Sequence, residues 1–242
     1  KADYNFDHRY LITGNDQKEY MRVVFAAAEI FRPELIGSMT HLTNGTVKFA
    51  DGKKMSSRLG NVSRAIEVID IVREKVSTLV DDESLIDEVT LGAIKYVFAR
   101  YKLGGDISFD MEETVSLTGN SGPYLQYAHA RARSILVKVG ESSSVKGQTQ
   151  PLMPTEVLKE DRALVRKISE YHEVMNLAIT QLEPHHICNY LFELAQEFNR
   201  YYEKNHVVGS EHELHRASLV AMYADTLRAG LMILGISAPE KM

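Results

Sequence analysis

The sequence has little that would cross-link it or insert it in a membrane. A single cysteine, Cys188, stands among 242 residues, which excludes an internal disulfide framework. It fits a reducing compartment, so a cytoplasmic protein is expected. The longest apolar runs, residues 23–28 and 231–236, fall far short of the roughly 20 residues a membrane helix needs. No cationic and then apolar leader opens the chain, so no secretory signal is read. The first residue is Lys1 and not Met, which implies a removed leader or a chain cut from something longer. Asn44-Gly45-Thr46 and Asn61-Val62-Ser63 match the glycosylation pattern, which carries no meaning without secretion. An excess of basic residues is also missing. The net charge is −5 and the pI about 6.0, against a nonspecific nucleic-acid binder but compatible with a local basic face.

What is present is ordinary globular composition, 44% hydrophobic and 25% charged, enough for one large domain or two small ones. The first sixty residues read as α/β. Tyr10-Leu11-Ile12-Thr13 is β-prone and ends at Gly14-Asn15. Asp16 is a candidate cap for a helix carrying Met21, Val24, Phe25, Ala28 and Phe31, stopped by Pro33. Asn44-Gly45 and Asp51-Gly52 predict hairpins around 39–55. After Gly60 the period becomes helical. Val62, Ile66, Ile69, Val72, Val76 and Leu79 mark one helix, and Ser84 with Asp87 is read as the capping pair of a second that runs to about 103. Asp110 with Glu113 is another capping pair, and Pro123 opens a helix to about 139. A polar stretch, 140–154, is read as an exposed loop. Three long amphipathic patterns follow, near 158–182, 187–201 and 214–234, and imply an antiparallel bundle.

Chemistry concentrates in Lys53-Lys54-Met55-Ser56-Ser57-Arg58-Leu59-Gly60-Asn61. Three cations, two hydroxyls and a helix N-terminus converge there, as in loops that fold over a polyphosphate. Taken alone, the cluster reads first as a solvated basic loop. Lys54-Met55-Ser56-Ser57-Arg58 resembles the KMSKS signature loop of class I aminoacyl-tRNA synthetases, and Arg58-Leu59-Gly60-Asn61 resembles its arginyl branch. Gly119-Asn120-Ser121-Gly122-Pro123-Tyr124-Leu125-Gln126-Tyr127-Ala128-His129-Ala130-Arg131 is similar to the start of that family's anticodon-binding domain. Ala224-Asp225-Thr226-Leu227-Arg228 resembles its D-A-L-R tetrad, with Thr226 where Ala is usual, and the ending on Met242 fits as well.

The resemblance implies ATP, with Mg²⁺, arginine and tRNA(Arg) as ligands, and no protein-bound metal. Lys54, Met55, Ser56, Ser57 and Arg58 would be the ATP-phosphate loop, with Lys54 and Arg58 stabilising the pyrophosphate. Ser57 stands where the signature has its second lysine, and a guanidinium at Arg58 is not an ammonium. Gln17, in the turn Gly14-Asn15-Asp16-Gln17, would contact the amino acid. Gln126, Tyr127, Arg131, Tyr202, Arg228 and Met242 would meet tRNA, cations on phosphates and aromatics on unpaired bases. The His-x-Gly-His-type signature is absent: none of the nine histidines sits in it. Inactivity of the isolated chain in arginine activation is therefore expected, and a monomer is favoured.

Without the resemblance, Tyr124, Leu125 and Ala128 read as core and the charges of 123–139 as a solvated face; the resemblance reverses that for Gln126, Tyr127 and Arg131. Histidines at 185, 186, 212 and 215 are read as structural or surface groups, because His185 and His186 should point to different sides of a helix. The expected fold is mainly α: a truncated Rossmann-type α/β remnant in 1–60, connecting helices in 61–116 and a helical anticodon-binding bundle in 117–242. The alternatives are a helical protein-interaction module and part of another class I synthetase, such as the cysteinyl type.

Overall fold

The structure, a computed structural model, describes residues 6–49, 65–141 and 157–242. The signature loop with Lys54, Met55, Ser56, Ser57 and Arg58, the Asp51-Gly52 turn and most of the 140–154 loop lie outside the described residues. The chain divides into two compact units, one of residues 1–62 with 101–109, the other of 63–100 with 110–242. The stretch read as a connecting region, 61–116, is thus shared between them.

In the first unit, strand β1 (Arg9–Gly14) leads through a 3₁₀ turn at Asn15–Gln17 into helix α1 (Lys18–Phe31), and the chain returns as β2 (Met39–Asn44). β1 and β2 are parallel, with Arg9 opposite Met39 and Gly14 opposite Asn44. A helix between two parallel strands is the crossover that parallel pairing requires. Asp16 does not cap α1 through its side chain; it belongs to the 3₁₀ turn, and Gln17 holds the cap position.

The hairpin expected at Asn44-Gly45 does not form. β3 (Val47–Phe49) instead pairs in parallel with β4 (Ile107–Phe109), a strand the alternation rule had passed over because it is only three residues long. Asp106 ties the pair: it accepts from Thr46 N at 2.8 Å and holds Lys48 Nζ at 2.6 Å. Gly45 serves close approach and not a two-residue turn, since a Cβ there would fall 2.1 Å from the Gly105 carbonyl oxygen.

The second unit is helical. α2 (Ala65–Ser77) packs on α3 (Ile86–Ala99) with Val68, Val72 and Val76 on its buried face. Asp82, and not Ser84, makes the cap before α3: its carboxylate accepts from Ser84 N at 2.9 Å, which puts Ser84 inside a 3₁₀ turn. α3 ends at Ala99, short of 103, since the chain there must turn back to the first unit's β4. Asp110 caps the short α4 (Met111–Thr114) as expected, accepting from Glu113 N at 2.9 Å.

The bundle core is built by α5 (Gly122–Glu141), α8 (His185–Lys204) and α9 (Glu213–Ile233). Leu125, Ala132, Leu191, Leu194, Phe198, Tyr223, Leu227 and Leu231 close on one another, with the Phe198 and Tyr223 rings stacked at 3.9 Å. Close helix crossings are set by glycine. A Cβ on Gly122 would meet the Gly92 carbonyl at 2.4 Å, and one on Gly230 would meet Leu191 at 2.5 Å. The single helix read across 158–182 is two, α6 (Arg162–Ser169) and α7 (Tyr171–Gln181). The break sits at Glu170, beside Ser169, whose hydroxyl donates back to the Arg166 carbonyl at 2.8 Å and so competes with the helical pattern.

Candidate nucleic-acid interface

α5 divides its polar side chains between two faces by the 3.6-residue period. Tyr124, Tyr127, Arg131 and Lys138 follow one line along it; Gln126, His129 and Arg133 follow another. The helix begins cleanly because the Ser121 hydroxyl accepts from Tyr124 N at 3.1 Å.

The first line borders an open cleft of about 480 Å³, whose walls include Thr118, Tyr124, Tyr127, Arg131, Asn199 and Arg200. Tyr127 is 42% exposed there. The Arg131 guanidinium lies 5.1 Å from the centre of the Tyr202 ring, with a long 3.4 Å contact to Asn199 Oδ1. Asn199 Nδ2 donates to the Tyr124 hydroxyl at 3.0 Å, and Tyr124 rests edge-on against Phe192. Burial raises the Tyr124 hydroxyl above the usual phenol range, so it stays neutral. Arg200 pairs with Glu197 at 2.6 Å at the solvent side. The cleft therefore offers an exposed aromatic face, cations and amide groups, with a floor fixed by hydrogen bonds.

The second line faces the C-terminal segment. Gln126 has no exposed surface, and its Nε2 donates to the Ser237 carbonyl at 3.0 Å. His129 Nδ1 donates to the Pro239 carbonyl at 2.9 Å, and Arg133 pairs with Glu240 at 2.5 Å. Gln126 is thus turned away from the face that Tyr127 and Arg131 present. Arg133 belongs to the same inner line, so the cations on the Tyr127 line of α5 are Arg131 and Lys138. Met242, at the end of the anchored segment, is part-buried.

In the first unit Gln17 is exposed at the C-terminal end of β1, where ligands gather in parallel α/β sheets. Asn15 of the same turn donates to the Gly104 carbonyl at 2.7 Å. Tyr20 is 68% exposed and Met21 buried.

A family model described as the DALR anticodon binding domain matches residues 125–242. The arginine–tRNA ligase of Clostridium perfringens (strain 13 / Type A) is 33% identical over 99% of this chain and 44% of its own length. That of Frankia casuarinae is 35% identical over 84% of this chain and 36% of its own. The arginyl-tRNA synthetase of Thermus thermophilus superposes with a TM-score of 0.84 at 29% identity, covering 98% of this chain and 41% of that one. The chain belongs to the arginyl-tRNA synthetase family. It spans less than half the length of these relatives.

Family motifs and geometry separate in the tetrad region. Ala224 and Leu227 are fully buried, Thr226 is part-buried and donates to the Met222 carbonyl at 2.7 Å, and Asp225 and Arg228 are exposed, 3.6 Å apart. Tyr202 is part-buried beneath Arg131, while Tyr201 is in the core with its hydroxyl on Asp161 at 3.2 Å. Fully buried Asp161 also holds His215 Nε2 at 2.6 Å and the Leu158 amide at 2.9 Å, which makes His215 a structural group. Sequence reading missed Thr118, Asn199 and Arg200. The first directly precedes the Gly119–Arg131 motif, and the other two lie between Phe198 and Tyr201 of the α8 stripe, so only the α5–α8 packing brings them to Tyr127.

Proposed function

We infer that this chain is the tRNA-reading part of an arginine–tRNA ligase and carries part of its ATP grip. In the whole enzyme the arginine carboxylate attacks the α-phosphorus of Mg²⁺-ATP, pyrophosphate leaves, and a tRNA(Arg) terminal hydroxyl then takes the arginyl group. Lys54 and Arg58 stabilise charge on the leaving pyrophosphate, with Met55, Ser56 and Ser57 completing the loop. Gln17 contacts the amino acid. Tyr127 and Arg131 meet the anticodon region, one by stacking and one by charge, with Tyr202 beneath Arg131, while Arg228 and Met242 meet tRNA from the side of the C-terminal segment. Gln126 acts at one remove, by holding the C-terminal segment. The protein works in the cytoplasm as a monomer, residues 117–242 forming the anticodon-binding bundle. Separated from a His-x-Gly-His-type half, the chain does not form arginyl-adenylate.

One observation carries this reading: exposed Tyr127 and Arg131 lie side by side on α5 at the mouth of a cleft furnished with amides and cations. The test is binding to a panel of tRNAs at two salt concentrations. Preference for arginine acceptors and a steep loss of affinity with salt are expected. Equal binding to all tRNAs, or affinity flat with salt, overturns it. Arginine-dependent ATP–pyrophosphate exchange by the chain alone overturns the claim of inactivity.

A further inference from the structure

A three-residue turn, Leu182-Glu183-Pro184, joins α7 to α8. Leu182 is held at φ 57°, in the left-handed region that favours glycine, and the next amide, Glu183 N, bonds back to the Ala178 carbonyl at 3.0 Å. Pro184 fixes the following φ at −65°. The turn is therefore stiff, and it brings together three side chains that helical spacing alone would separate. His185 and His186 lie in the first turn of α8, yet their rings overlap with centroids 4.1 Å apart. The sequence expectation of opposite directions fails because the pair stands at the helix end, beside Glu183.

We propose that Glu183, His185 and His186 form a binding site for a divalent transition-metal ion of zinc type. One donor atom from each lies within 4.8 Å of the others. Glu183 Oε2 is 3.3 Å from His186 Nε2 and 3.7 Å from His185 Nδ1. In a tetrahedral zinc site with bonds of about 2.0–2.1 Å, neighbouring ligand atoms sit roughly 3.3–3.4 Å apart. The carboxylate-to-imidazole spacings are thus within a few tenths of an ångström of a coordination shell. The three side chains are 14–24% exposed, sheltered but reachable from solvent.

Charge is consistent with a cation here. Two imidazole rings 4.1 Å apart place two ring-nitrogen donors of the kind metals bind beside one carboxylate. The carbonyl end of α7 favours positive charge, offsetting the opposite tendency of the α8 N-terminus. Gln181 Oε1, 2.9 Å from His186 Nε2, supplies a further oxygen at the same place. Cys188, one turn away, is not part of the set: it is fully buried, and burial pushes its thiol up to about 12. Two nitrogens and a carboxylate suit zinc, nickel or copper and not calcium. A bound ion would clamp α7 to α8.

The test uses the 242-residue chain, free of any affinity tag and stripped of metal, titrated with Co²⁺ and then Zn²⁺ near neutral pH. One equivalent of Co²⁺ with a visible d–d band, displaced by Zn²⁺, is expected, together with a Zn²⁺-induced rise in melting temperature. His186→Ala and Glu183→Gln should each weaken binding at least about tenfold while circular dichroism shows the fold intact. His172→Ala should leave it unchanged. Absence of a stoichiometric site in the unsubstituted chain overturns the proposal and leaves a histidine–carboxylate ion pair. Equal binding by unsubstituted chain and His186→Ala also overturns it, by placing the metal elsewhere.

Discussion

In α1 of the first unit Ile30 and Phe31 are 76% and 82% exposed, whereas in α8 and α9 of the second Leu194, Leu227 and Leu231 have no exposed surface. Phe31 closes the series Met21, Val24, Phe25 and Ala28, which has the same helical spacing as the stripes of α8 and α9. Periodicity marks a helix; it does not say whether anything covers the apolar stripe. The first unit leaves Tyr20, Val23 and Ile36 open as well, on a β–α–β element whose two strands pair only with each other among the described residues. Parallel strands are normally covered on both faces, and an apolar surface of this kind is where a folded neighbour docks.

The contrast is sharpest in a pair of truncations. Leu194→Ala should cost about 2–5 kcal/mol in urea unfolding, the range for a leucine removed from a closed core. Ile30→Ala should change stability by less than about 0.5 kcal/mol. Similar losses at both positions would mean that the α1 stripe is covered in solution. A second substitution probes packing from the opposite direction. Gly122→Ala directs its methyl at the Gly92 carbonyl 2.4 Å away, and backbone cannot swing aside as a side chain can. A loss of about 1–3 kcal/mol is expected, without change in helical circular dichroism. Full stability would show the α3–α5 crossing to be looser than described.

The two regions also differ in how legible they were. The helices of the second unit announce themselves through long-period stripes: Ile187, Leu191, Leu194 and Phe198 read as one buried face and are one. Asp110 with Glu113 was readable because capping is a local event. The first unit's β3–β4 pairing joins Val47 to Ile107 across sixty residues, and no local pattern encodes a partner that distant. Asn44-Gly45 misled for the same reason, since a close backbone approach and a turn call for the same glycine. At the candidate site, Tyr127 and Arg131 were legible from the motif, but the motif could not separate them from Gln126, which the helical period turns inward.

That separation predicts different failures for neighbouring residues of α5. Tyr127→Ala should weaken tRNA binding by about 1–2 kcal/mol, roughly tenfold, as loss of a stacking ring does, with stability unchanged. Gln126→Ala should instead lower stability by about 1–2 kcal/mol, because the Ser237 carbonyl loses its buried partner. A Gln126→Ala protein of normal stability that binds tRNA poorly would move Gln126 to the outer face.

The smallest effect belongs to His129 and reads out the inner face by pH. Its ring is 1% exposed, and Nε2 has no partner among the described residues. Burial lowers its pKa; the Pro239 carbonyl and Glu240 oppose this, while Arg133 and Arg228 add to it. The unfolded ring takes a proton near pH 6.5, as an unperturbed histidine does at about that value. The folded ring takes it only at lower pH, so protons favour the unfolded chain. This contribution to stability is therefore complete above about pH 6.5 and is lost as pH falls below it. The urea midpoint should drop on acidification from neutrality to about pH 5.5, and His129→Gln should flatten that part of the profile. An acid dependence identical in the variant would assign the loss to another titrating group.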